Sequence, residues 1–212
     1  MAKRKKPIYA FVDAANLFYG GEKSLGWKVD YKKLINYLKE KYNVSRVFYF
    51  AGVEIYDFPL PSGGNDKINL NKLVNFLDDK KEKINSKNKE SIRLLEQNIN
   101  RMKFYQKLLG FGYILKLKPT KIFKDANGRI TKKANCDVDM TFELMHLMEQ
   151  YSGAVILSGD GDFAVVLKYL QYKGRKITIL ARGERTAREM RQLAGSNFRD
   201  FVYLRERLRF DR

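Results

Sequence analysis

Two short apolar runs in this chain break off at aspartate. Ile8-Tyr9-Ala10-Phe11-Val12 stops at Asp13, and Ala154-Val155-Ile156-Leu157 gives way to Ser158-Gly159-Asp160-Gly161-Asp162-Phe163. A run of that length without polar alternation reads as a strand buried on both faces, and such a strand needs helices above and below it. The rest of the pattern supplies them. Residues 31 to 42 carry Leu34, Ile35 and Leu38 at helical spacing. Residues 45 to 51 form a second strand, and residues 113 to 117 a third after the Gly110-Phe111-Gly112 break. Residues 138 to 148 are helical, 163 to 172 form a helix closed by Gly174, and 176 to 180 a further strand. Strands alternating with helices give an α/β fold with a mainly parallel sheet covered on both faces. In such sheets ligands gather beyond the carboxyl ends of the strands, where Asp13 and Asp160 stand.

The middle of the chain departs from this rhythm. Pro59, Pro61, Ser62, Gly63 and Gly64 make a loop, followed by helical stretches over roughly 70 to 84 and 89 to 109. The second places Ile92, Leu95, Ile99, Met102 and Leu109 on one stripe, and Lys80, Lys81, Lys83, Lys87 and Lys89 crowd the tip between the two. That tip reads as a solvated hairpin or as an arm for RNA. Within residues 120 to 134, Asn127-Gly128 marks a tight turn in a basic hairpin leading to Asp137.

Each acidic residue has an ordinary use. Asp13 can cap the turn after its strand, with Asn16 doing similar local work. One cap is needed before Phe163, yet Asp160 and Asp162 supply two. Asp137 shares a helix face with Thr141, Leu144 and Met148 and so points inward, where an unpaired carboxylate is costly. Asp139, Glu143, His146 and Gln150 form the opposite stripe, read as solvated, with Glu143 a candidate outer ligand. Cys136 is a small packing residue. Trp27, Phe18 and Tyr19 follow Asp13 and belong to the core or offer a base something to stack on. Two carboxylates about 6 Å apart repel by roughly 3 kcal/mol at an effective dielectric of about 20. Four of them need protons or divalent cations, and oxygen donors suit Mg²⁺ or Mn²⁺.

Around this acidic set the chain is strongly basic, with a formal net charge of +18 over 212 residues, 44% of them hydrophobic. That balance describes a globular protein with a polyanionic partner, nucleic acid before an anionic membrane surface. Cys136 is the only cysteine, so no intrachain disulfide forms, which fits a reducing, cytoplasmic setting. The apolar run after Lys3-Arg4-Lys5-Lys6 is too short for a signal peptide or a membrane span. Self-association is left open.

Three segments together resemble the NYN domains, which belong to the PIN-like metal-dependent ribonucleases. They are Phe-Val-Asp-Ala-Ala-Asn-Leu at 11–17, Lys-Ala-Asn-Cys-Asp-Val-Asp-Met at 133–140 and Val-Ile-Leu-Ser-Gly-Asp-Gly-Asp-Phe at 155–163. The likeness covers roughly residues 7–52 and 113–182. It implies a PIN-like three-layer fold in one domain over 1–212, with a helical insertion at about 53–110 and a basic C-terminal tail at about 200–212. It further implies that Asp13, Asp137 and Asp160 bind the metal, with Asp162 and Asn16 in support. Glu143 stands where many members have aspartate. The expected protein is therefore a ribonuclease with catalytic Asp13, Asn16, Asp137, Asp160 and Asp162, the four aspartates on Mg²⁺ or Mn²⁺. Lys132, Lys133, Arg182, Arg185, Arg188 and Arg191 would hold RNA. The rival is a non-catalytic RNA-binding adapter that keeps the acidic cup for folding. A haloacid-dehalogenase-like phosphatase needs a second acid two residues after the first, where Ala15 stands.

Overall fold

The computed structural model describes residues 6–60, 68–85, 88–124 and 130–211, with backbone alone at 20–21, 122–124 and 130–133. The chain opens with β1 (Ile8–Asp13), α1 (Ala14–Asn16), a π-helical turn (Leu17–Glu22), α2 (Lys23–Leu25) and α3 (Tyr31–Tyr42). Next come β2 (Val44–Val53), α4 (Leu70–Glu82), α5 (Lys89–Phe111) and β3 (Tyr113–Pro119). A hairpin of β4 (Lys121–Lys124) and β5 (Ile130–Lys133) leads into α6 (Asp137–His146). The last third holds β6 (Gly153–Leu157), α7 (Ala164–Tyr172), β7 (Lys176–Ala181), α8 (Arg188–Ala194), β8 (Phe198–Asp200) and α9 (Arg205–Leu208). Local chemistry explains the breaks. Asp30 caps α3 by accepting from the backbone N–H groups of Lys32 and Lys33, and Asn69 does the same for α4 through Lys72. Gly112 ends α5 in the left-handed region, at φ 96°, which lets the chain turn at once into β3.

Six strands form one sheet in the order β3-β2-β1-β6-β7-β8, every neighbouring pair parallel. The chain builds outward from β1 to one edge, then returns to build from β6 to the other. The order therefore reverses between β1 and β6, and their carboxyl ends open a crevice. The three-layer α/β arrangement with a mainly parallel sheet is as the alternation implied.

Alternation along β1 sorts the two layers. Ala10 and Val12 face the core made with α3, α4 and α5, while Tyr9 and Phe11 face the core made with α6 and α7. Phe11 sits opposite Phe48 and Ile156, its ring 5.3 Å from that of Phe48. Asp13, two residues further on, continues the Tyr9–Phe11 face and points toward the start of α6.

Two expectations about the periphery change. The helical hairpin packs into the core and is not solvated throughout. Leu73 and Leu77 of α4 and Met102 and Leu108 of α5 are fully buried in the same core as α3, so the hairpin is the crossover from β2 to β3. Leu108, not Leu109, completes the α5 stripe, because Leu109 faces solvent. At the tip, Lys80 pairs with Asp57 at 2.6 Å and Lys81 with Glu96 at 3.7 Å, which leaves the arm less charge for RNA; Lys87 lies outside the described residues. Nor does the basic C-terminal segment trail away. Phe201, Leu204 and Leu208 are buried, and Leu208 accepts the Asp30 backbone N–H at 2.7 Å. Among the described residues, no helix is long and apolar enough to cross a membrane.

Candidate active site

A cleft of about 360 Å³ opens where the strand order reverses, and Asp13, Asn16, Asp137 and Asp160 all line it. Asp13 ends β1 with only 8% of its surface exposed. One of its oxygens accepts the Asn16 backbone N–H at 3.1 Å, and the other accepts the Ser158 hydroxyl at 3.1 Å. The capping role and the site role thus fall on the same residue. Burial raises the Asp13 pKa, with a smaller upward push from the Asp137 charge. The bonds from Asn16, Ser158 and the backbone pull the other way without winning.

Ser158 is fully buried and holds the site together. While donating to Asp13 it accepts the Asp160 backbone N–H at 3.2 Å, so the two aspartates share one hydroxyl. Asn16 makes a second tie, its side-chain oxygen accepting the Gly159 backbone N–H at 3.0 Å. Gly159 is needed because Thr186 comes against it. A Cβ there would lie 2.9 Å from the Thr186 Cα. Asp160 caps the short 3-10 helix Gly161–Phe163 by accepting the Asp162 backbone N–H at 3.0 Å. Asp162 is exposed and does not line the cleft with Asp13, Asn16, Asp137 and Asp160.

Asp137 arrives from the far side at the first turn of α6, its backbone N–H held by the Asn135 side chain at 3.2 Å. The stripe expected to be solvated divides: His146 and Gln150 are exposed, whereas Asp139 and Glu143 turn to β3. Glu143 is 8% exposed and paired with Lys116 at 3.0 Å, and Asp139 is paired with Lys118 at 2.7 Å. The outward lysines of an edge strand thus pair with these acids, and Glu143 ties α6 to β3. Lys118 also donates to the Asn135 carbonyl at 2.9 Å, which fixes the loop before Asp137. His146 is exposed and stacked on Phe142, as a surface histidine.

The acid donors are oxygen atoms of the kind that suits Mg²⁺ or Mn²⁺. Burial pushes the thiol of Cys136, which also lines the cleft, up to about 12. Among the described residues no three such side chains are drawn together into a ready ligand group. In kind the set fits a hard divalent ion, with Asp13, Asp137 and Asp160 lining one cleft.

The basic residues divide. Arg182 is an internal tie, its guanidinium paired with Glu184 at 2.7 Å and Asp200 at 3.4 Å and largely buried, so it offers RNA nothing. Arg188 and Arg191 are exposed on α8, but Arg185 belongs to the separate 3-10 turn Gly183–Arg185, so the three do not share one helix. The side chains of Lys132 and Lys133 lie outside the described residues.

The NYN domain model matches residues 7–202, nearly the whole chain and every element that builds the cleft. The chain belongs to the NYN domain family. LabA, the low amplitude and bright protein of Synechococcus elongatus, is 24% identical over 98% of this chain and 93% of its own. The crystal structure of VPA0982, a protein of unknown function from Vibrio parahaemolyticus, shares the fold at a TM-score of 0.60, with 18% identity over 93% of this chain and 94% of the other. Sequence reasoning missed one residue of this NYN domain that matters, Ser158. Its signal was present, since it continues the Ala154–Ile156 face by two residues, just as Asp13 continues Tyr9–Phe11. If the cleft is catalytic, as proposed below, Ser158→Ala should lower activity by about 10- to 100-fold, the usual effect of removing a partner that orients a ligand. It should also lower the melting temperature by a few degrees, for a loss of about 1–3 kcal/mol. Kinetics and thermal unfolding on one preparation check both.

Proposed function

We propose that this NYN domain is a metal-dependent ribonuclease that hydrolyses RNA phosphodiester bonds in the cleft beyond the carboxyl ends of β1 and β2, flanked by Asp160 and the start of α6. The observation that carries it is the meeting of Asp13, Asp137 and Asp160 with Asn16 at the switch point of the sheet, in a chain of net charge +18. Such a cup repels RNA unless cations enter it, whereas the surface around it attracts RNA. Asp13, Asp137 and Asp160 hold the ion, Mg²⁺ or Mn²⁺. Once bound, it offsets charge on the scissile phosphate and makes an attacking water more acidic.

The protein's own groups do the positioning. Ser158 keeps Asp13 and Asp160 at a fixed separation by bonding both. With its oxygen engaged by Gly159, Asn16 has its amide NH₂ to donate to a phosphate oxygen. Asp162 serves through its backbone N–H, which donates to the Asp160 carboxylate and steadies it. Arg185, Arg188 and Arg191 follow the loop that touches Gly159 and Gly161, and they supply phosphate contacts on that flank. Replacing these three by alanine should reduce the salt slope of RNA binding by about 0.7 for each phosphate no longer neutralised, so by roughly 1.4 to 2.1. Affinity titrated from low to moderate salt reads this, and an unchanged slope removes the arginines from the interface.

A non-catalytic RNA-binding adapter is the second reading, favoured by the absence of a closed ligand group among the described residues. One experiment separates the two. Labelled single-stranded and structured RNA and DNA are incubated with the protein in Mn²⁺, Mg²⁺ or EDTA. Cleavage of RNA with a metal and none in EDTA supports the ribonuclease. Binding without cleavage under every condition supports the adapter.

A further inference from the structure

The turn after Asp13 presents two aromatic rings to solvent at the mouth of the cleft. Leu17 is buried and anchors the π-helical turn Leu17–Glu22, whereas Phe18 is 41% and Tyr19 62% exposed. Trp27, which the sequence grouped with them, is core at 9%. The two exposed rings meet edge to face at 5.1 Å, and Tyr19 lines the same cleft as Asp13, Asn16, Asp137 and Asp160. The wide turn, closed by the Lys23 N–H on the Phe18 carbonyl five residues back, returns Lys23 over both rings. Its ammonium stands 4.7 Å from the Tyr19 centroid and 5.3 Å from that of Phe18. Neither ring contributes to the core, so the fold does not need them to be aromatic.

Resting on the ribonuclease reading of the cleft, we propose that Tyr19, braced by Phe18, is a stacking platform for an unpaired base beside the scissile phosphate, and that the substrate is therefore single-stranded RNA. A base inside a duplex already has both faces covered by its neighbours, so only an unpaired base can lay a face on Tyr19. Stacking is indifferent to base identity, and it holds a strand at a fixed distance from the carboxylates without a sequence-reading contact. Lys23 covers the rings in the free protein. When a base arrives its flexible stem swings the ammonium to the adjacent phosphate, and a cation–π contact is exchanged for an ion pair.

Binding is measured in EDTA, where nothing is cut, with three probes: an eight-nucleotide RNA, the same strand with abasic sites throughout, and a blunt RNA duplex. The parental protein should prefer the intact strand to the abasic one by about tenfold or more, the size of one base–aromatic stack. Phe18→Ala/Tyr19→Ala should erase that preference and leave the abasic affinity within about twofold, while Tyr19→Phe should keep it. A 2-aminopurine strand should lose fluorescence on the parental protein, which decides the matter even if the double variant folds poorly. Equal losses on intact and abasic strands, no quenching, or equal affinity for the blunt duplex overturns the platform. Failure of the other reading looks different: base preference lost with the rings, yet no cleavage in Mn²⁺, keeps the platform and removes the nuclease. Cleavage in Mn²⁺ with an unchanged KM in the double variant keeps the nuclease and removes the platform.

Discussion

Asp160→Asn should lower cleavage at saturating RNA by about a thousandfold or more and leave RNA affinity in EDTA within about twofold. The change is close to isosteric. Asparagine retains a side-chain oxygen to accept the Asp162 backbone N–H, so the 3-10 helix at Gly161–Phe163 keeps its cap. What disappears is one negative charge from the cleft. An ion ligand contributes to catalysis by placing charge against the developing charge on phosphate, worth several kcal/mol, and each 1.36 kcal/mol is a decade in rate. Removing an acid from a cup that RNA must approach gives no reason for weaker binding. Asp162→Asn is the matched control. Its carboxylate is exposed and outside the cleft, so its rate should stay within about threefold of the parent. Single-turnover cleavage with both variants checks this, and a parental rate for Asp160→Asn would remove Asp160 from the site.

The sequence makes the central layer plain and the flanks obscure, for physical reasons. β1 and β6 are buried on both faces, so their composition is set by one requirement and shows as an uninterrupted apolar run. Asp13 and Asp160 stand out because each follows such a run closely, at a strand exit where an acid needs a cause. Ser158 does not stand out, since a small polar residue after a strand has many ordinary uses. Its importance lies in two bonds, to residues 145 positions away and two positions away, that no local pattern records. Glu143 misleads for a related reason. Helical periodicity gives the faces of α6 but not which face meets β3, and a lysine on an edge strand can turn a charged stripe into a buried one. Arg182 repeats the point, because its partner Asp200 belongs to β8, a three-residue strand too short to announce itself. Phe18 and Tyr19 are ambiguous on composition, and only the burial of Leu17 beside them shows which way the turn faces.

Asp13→Asn should remove activity and, in EDTA at neutral pH, make the protein more stable. Asp13 is buried beside Asp137, and burial outweighs its hydrogen bonds, so its folded pKa lies above the usual 3.8. A carboxyl group with a raised folded pKa binds its proton more tightly in the native state than in the unfolded one. Its contribution is therefore fully present below the unfolded value and is lost as pH rises through the folded one. At pH 7 the parent has already lost it, whereas asparagine never ionises. The difference in melting temperature between variant and parent should be small near pH 4 and grow in the variant's favour toward pH 7. A gain of about 1 kcal/mol, ordinary for relieving a functional site, corresponds to roughly 2–4 °C in a chain of this length. Asparagine still offers an oxygen to the Asn16 N–H and an NH₂ to the Ser158 oxygen, while the Ser158 hydroxyl gives up the acceptor it has in Asp13, a loss that the relief of the buried charge has to exceed. Millimolar Mn²⁺ should then reverse the ranking, because an ion that binds only the folded state stabilises the parent by mass action and the variant much less. Thermal unfolding across pH, with EDTA and with Mn²⁺, tests both halves. A variant less stable than the parent at pH 7 in EDTA would mean that Asp13 is held by its hydrogen bonds as a structural cap. Equal Mn²⁺ shifts in the two proteins would place the ion elsewhere.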